Sequence, residues 1–103
     1  MSAQWEPAAL ARTWVHAYEE DSDTTTVYRS AGEPLPPARG RGAFTLAPDG
    51  TLTLERPGAD DRTVRRAGRW SVTGDRLVLQ QADGVEQQLQ VISVAADRLV
   101  VRR

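Results

Sequence analysis

The 103-residue chain has no cysteine, so no disulfide staples it, and neither a thiolate metal site nor a cysteine nucleophile is available. His16 is its single histidine, which excludes a zinc site built on a histidine pair. Lysine is absent as well, and all thirteen cations are arginine. Together with abundant Ala, Gly and Pro this is the stamp of a GC-rich bacterial genome, a simpler account of the arginines than a recognition role for their planar forks. A formal net charge of −1 argues against nucleic-acid binding by the whole surface. No apolar run is long enough to span a bilayer, and no basic region followed by an apolar stretch opens the chain. The expectation is a soluble, cytoplasmic protein without nucleic-acid or membrane partners. Its size suits one domain over 1–103, near the lower limit for a core built without help.

What the chain does have is regular punctuation. Apolar runs end in turn residues at Pro48-Asp49-Gly50, Pro57-Gly58, Gly74-Asp75, Asp83-Gly84 and Ala96-Asp97, the pattern of an antiparallel sheet folding back on itself. Pro7 followed by Ala, Ala, Leu and Ala predicts a short helical turn. Strands are expected over 13–19, 25–29, 43–47, 51–56, 62–72, 76–81, 85–94 and 98–102. The stretch 30–42, with Pro34, Pro36, Pro37, Gly40 and Gly42, reads as one long loop, and such loops often carry function.

Register tests the hairpins, because opposed residues share a face. A three-residue loop at Pro48-Asp49-Gly50 sets Leu46 against Leu52 and Phe44 against Leu54. The two-residue loop Gly74-Asp75 pairs Val72 with Leu77 and Trp70 with Leu79. With Gly84 left-handed in a bulged turn, Leu77 meets Leu89. Leu89 and Val91 are out of phase with Ile92 and Val94, which predicts a bulge near Gln90. Eight antiparallel strands with one apolar face close most economically as an up-and-down meander barrel, an all-β fold without exposed edges. Its expected interior is Trp14, His16, Tyr18, Phe44, Leu46, Leu52, Leu54, Val64, Trp70, Val72, Leu77, Leu79, Leu89, Leu99 and Val101.

The segment Leu10-Ala-Arg-Thr-Trp14 after a helical turn resembles the Gly-x-Trp opening of lipocalin-like families of the calycin superfamily, with Arg12 where those families place glycine. Gly68-Arg69-Trp70 has the full pattern, but in the fifth strand. The resemblance implies that Arg102, near the end of the last strand, packs across Trp14. Trp14-Val-His-Ala-Tyr-Glu-Glu-Asp21 with Pro36-Pro-Ala-Arg-Gly-Arg41 is similar to a family of small bacterial β-barrel proteins with no assigned activity. Both resemblances imply fold more than function.

In a strict meander, most arginines gather at the end that holds Trp14, including Arg12, Arg29, Arg39, Arg41, Arg56, Arg66 and Arg102. The far rim collects Glu19, Glu20, Asp21, Asp23, Asp49, Asp75 and Asp97. Converging arginines hold carboxylate or phosphate groups in bidentate fashion, while surface ion pairing is the plainer reading of the same charges. His16, Tyr18 and Glu20 alternate on the first strand and would line one wall. The acidic run Glu19 to Asp23 lacks the pattern of a calcium loop, so no metal site is expected.

The leading expectation is non-enzymatic binding of a small molecule, anionic or amphipathic, in a shallow and partly apolar cavity. Its ligand-binding residues would be Trp14, His16, Tyr18, Glu20, Tyr28, Arg29, Arg39, Arg41 and Trp70, with no cofactor and no catalytic set. One alternative is a protein-interaction module, inhibitor-like, that plugs a protease or enzyme cleft with its N-terminal segment or with loop 30–42. Another is a small barrel isomerase or cyclase using His16 or Glu20 as base.

Overall fold

The computed structural model describes residues 6–32, 41–57 and 63–102. One helical turn, α1 (Pro7–Leu10), precedes β1 (Thr13–His16) and a 3₁₀ turn (Tyr18–Glu20). β2 (Thr25–Ser30), β3 (Ala43–Leu46), β4 (Thr51–Pro57), β5 (Thr63–Thr73), β6 (Arg76–Gln81), β7 (Glu86–Val94) and β8 (Arg98–Arg102) follow. All eight strands are antiparallel to their neighbours and close into a barrel, as expected.

From β3 to β8 each strand pairs with the next in sequence, and the hairpin registers are those anticipated. Phe44 faces Leu54, Leu46 faces Leu52, Trp70 faces Leu79 and Leu77 faces Leu89. Gly50, Gly74 and Gly84 adopt positive φ at the three turns, where a side chain would be strained. The bulge lies one step beyond Gln90: register shifts between Val91 and Ser93, which expels Ile92 to the outside and returns Val94 to the core.

The order departs from a strict meander at one place. Around the barrel it runs β1-β2-β8-β7-β6-β5-β4-β3, so β1 stands between β2 and β3, and β2 closes the cylinder against β8. β2 and β3 therefore run in the same direction, and residues 31–42 join one end of the barrel to the other. That span explains why this connection is long where the others are tight. It also inverts β3 to β8 relative to the meander, which abolishes the expected charge separation. Asp49, Asp75 and Asp97 belong to the end that holds Arg12, while Arg41, Arg56 and Arg102 join Glu19 at the other.

The core contains Leu10, Trp14, Phe44, Leu46, Leu52, Leu54, Leu77, Leu79, Leu89, Val91, Leu99 and Val101. Leu10 and Trp14 plug one end, with the Trp14 indole N–H donating to the Leu10 carbonyl at 3.0 Å. Arg102 does not cover Trp14, because it ends β8 at the opposite end. Arg12 does so instead, its guanidinium 5.5 Å from the ring centroid, and it also donates to the Ala96 carbonyl. Two residues expected inside are exposed: Val64, and Tyr18 at 46%. Tyr18 fails because β1 stops at His16 and the chain turns into the 3₁₀ segment, which breaks the alternation. A second small cluster, Ala17, Val27 and Val100, packs outside the barrel.

Candidate binding site at the barrel mouth

Among the described residues, the end opposite the Leu10–Trp14 plug is open. A cavity of about 160 Å³ lies there, lined by His16, Tyr28, Phe44, Leu54, Leu79 and Leu89, with Gly42, Ala43, Glu55, Arg56 and Gln87 at its border. Its walls follow from register. His16 faces Tyr28 across β1 and β2, Phe44 faces Leu54, and Leu79 faces Gln87. Below them the barrel is filled by side chains, so the cavity is shallow.

Three rings step across the mouth. His16 is 5.4 Å from Tyr28, and Tyr28 is 4.9 Å from Phe44 in a T-shaped contact. His16 Nε2 lies 2.8 Å from Asp21 Oδ2, and Asp21 Oδ1 accepts the Val27 N–H at 2.8 Å. A carboxylate accepts, so His16 Nε2–H is the donor in this contact. Burial pushes the Tyr28 phenol above its ordinary value, and the Asp21 charge adds to the shift. Tyr28 is thus a neutral donor and acceptor at the cavity wall.

The remaining expected site residues divide. Trp14 is fully buried in the plug and Trp70 donates its indole N–H to the Ala47 carbonyl at 2.8 Å, and neither lines the cavity. Glu20 folds outside β2, where it accepts from Arg29 Nε at 2.7 Å and Nη2 at 2.8 Å and lies 3.7 Å from Arg98. Arg29 also reaches Asp97 at 3.3 Å. Those contacts hold the Glu20 carboxyl below its usual range, Arg29 contributing most. It is an ionised partner in a cluster rather than a base facing the cavity. Arg41 caps the His16 carbonyl at 2.9 Å, pairs with Glu19 and stacks over the Tyr18 ring at 4.7 Å. The hydrogen bond from Arg41 holds the Glu19 carboxyl at about 2. Arg39 and most of loop 30–42 lie outside the described residues.

The structure therefore brings His16 and Tyr28 together and sends Tyr18, Glu20, Arg29, Arg41, Trp14 and Trp70 to structural posts. It adds Asp21, Phe44, Leu54, Gln87 and Arg56, which residue-by-residue reading missed as a site. Asp21 was legible in principle as a carboxylate in a turn five residues after the only histidine. Arg56 was not, because its end of the barrel depends on the exchange of β1 and β2. Among the described residues no group of three or more His, Asp or Glu is arranged to hold a metal ion, and no helix is long and apolar enough to cross a membrane. Compared with protein-family models, curated proteins and solved structures, the chain matches none.

Proposed function

We propose that this barrel binds a small amphipathic organic molecule at its open mouth without transforming it. The observation that carries the reading is the cavity itself: an apolar wall of Phe44, Leu54, Leu79 and Leu89 faces a polar border of His16, Tyr28 and Gln87. A few convergent polar groups on an apolar pocket are what fixes a ligand's orientation. At about 160 Å³ the space is below the roughly 300–1,000 Å³ of pockets that swallow a drug-sized ligand. Only one end of a ligand enters, such as a single ring, and the rest lies across the rim. A lipocalin-like relationship and a bacterial, cytoplasmic setting belong to the same reading, supported by the Leu10-to-Trp14 segment and the cysteine-free, lysine-free composition.

The test is an amide NMR titration with ring-sized phenols such as 4-methylphenol. Shifts confined to Phe44, Leu54, Leu79 and Leu89 are expected, and Leu54→Trp, which fills the cavity, abolishes them. Shifts scattered elsewhere, or unchanged by that substitution, overturn the reading.

A further inference from the structure

β4 and β5 pair over seven positions, from Thr51 with Arg69 to Pro57 with Thr63. Their neighbours stop earlier, β3 at the Ala43–Glu55 pair and β6 at the Gly68–Gln81 pair. The outer ends of β4 and β5 therefore continue beyond the cylinder as a two-stranded ribbon beside the mouth. Side chains alternate along it. Leu54 points into the core and faces Arg66, so Arg66 and the next inward position of β4, Arg56, share the inner face. Arg56 also borders the cavity.

These two arginines differ from those paired outside the barrel. Arg29, Arg41, Arg65 and Arg98 meet Glu20, Glu19, Glu55 and Glu20 respectively. Among the described residues Arg56 and Arg66 form no ion pair. Among the described residues, Asp21 is engaged by His16 and the Val27 N–H, Glu55 by Arg65 at 3.5 Å on the other phase of the ribbon, and Asp83, which lines a surface depression with Arg66, by the Val85 N–H. As diagonal cross-strand neighbours the two guanidinium-bearing residues are about 7–8 Å apart, a like-charged pair that an oxyanion between them relieves.

We infer that Arg56 and Arg66 receive the oxyanion head, carboxylate or phosphate, of an aromatic ligand whose ring enters the mouth cavity. This rests on the mouth being the binding site. β4 is two strands from β1, about 10 Å around the rim at 4.8 Å per strand. A phenol carrying an acid on a short arm spans that distance from Arg56 to the Tyr28 and His16 side. Arginine forks bind such heads by paired, charge-assisted hydrogen bonds.

Affinities of 4-hydroxyphenylacetate, its methyl ester and phenyl phosphate, measured by calorimetry and amide NMR, test the assignment. The acid or the phosphate should bind about tenfold or more tighter than the ester, since a hydrogen bond to a charged group contributes about 1.5–3 kcal/mol. Which of the two binds tighter identifies the head group. The advantage should shrink at high salt. Arg56→Gln with Arg66→Gln should bring the anion to the ester's level while the ester is unaffected, and Arg102→Gln on another strand should change neither. If the ester equals the anions, or anion binding survives the double substitution, the oxyanion assignment is overturned and the cavity reading stands. If no probe shifts the Phe44, Leu79 and Leu89 amides, both fall.

Discussion

Gly68→Ala reverses the usual sign of a glycine substitution in a strand. At a position with ordinary φ, alanine normally stabilises by about 0.4–1 kcal/mol, because it restricts the unfolded chain. Here a Cβ would lie 2.2 Å from the Gln80 carbonyl oxygen, 2.9 Å from Gln81 Cα and 3.0 Å from the Gln80 carbonyl carbon. All three are backbone atoms, so no side-chain rotation relieves the overlap and β5 must move away from β6. Overpacking costs about 1–3 kcal/mol, and displacement also weakens the Ala82 N–H bond to the Ala67 carbonyl, 3.0 Å long, worth about 1 kcal/mol. The expected loss is about 2–4 kcal/mol, which lowers the melting temperature of a domain this size by about 10–25 °C. Gly74→Ala is the control: its φ is +59° and nothing lies within 4 Å of the added methyl, so it suffers only the left-handed penalty of about 1–2 kcal/mol. Circular-dichroism melts and urea midpoints measure both. A Gly68→Ala protein that melts at or above the wild type would refute the close-approach argument.

Acid should unfold the protein partly through Glu19 and Glu20. Both carboxyls titrate lower in the fold than in the unfolded chain, so the stability they add is present above pH about 5. For Glu19 it is lost as pH falls from 4.5 towards about 2, and for Glu20 as pH falls below the ordinary carboxyl range. Urea midpoints between pH 7 and pH 3 should fall less steeply in a Glu19→Gln, Glu20→Gln variant, and an unchanged acid limb contradicts the ion-pair assignment. Asp21→Asn keeps an acceptor for the Val27 N–H but presents an amide to His16, at a cost of about 1–3 kcal/mol. Imidazole ¹⁵N shifts should move from the Nε2–H tautomer toward Nδ1–H, and an unaltered tautomer would show that Asp21 does not orient the ring.

The Gly-x-Trp pattern at Gly68-Arg69-Trp70 shows how far local reading reaches. The pattern was visible, but its reason was not: Gly68 admits the β6 backbone, and Trp70 anchors the Ala47 carbonyl. His16 was legible as an inward position of the first strand, whereas Tyr28, absent from the expected interior, lines the cavity because it pairs with His16 across β1 and β2. Tyr18 and Glu20 were misplaced for a local reason, the early end of β1, which two-residue alternation does not reveal. For Arg29 and Arg41 the plainer reading, surface ion pairing, is the one the structure shows, but the partners themselves were not named in advance: Glu20 and Asp97 for Arg29, and Glu19 for Arg41.

Hairpin register, the three glycine turns and most of the apolar wall were written in the chain, because each depends on residues a few positions apart and on the two-residue period of a strand. Which strand flanks β1 was not, since the β1–β2 hairpin has the same local contacts in either order. Packing across the whole cylinder sets that choice: β2 finds its partner in β8, seventy or so residues away at the Val27–Val100 pair, and β3 finds β1. That single long-range exchange sends each charge to its end of the barrel and puts Arg56 and Arg66 beside the mouth.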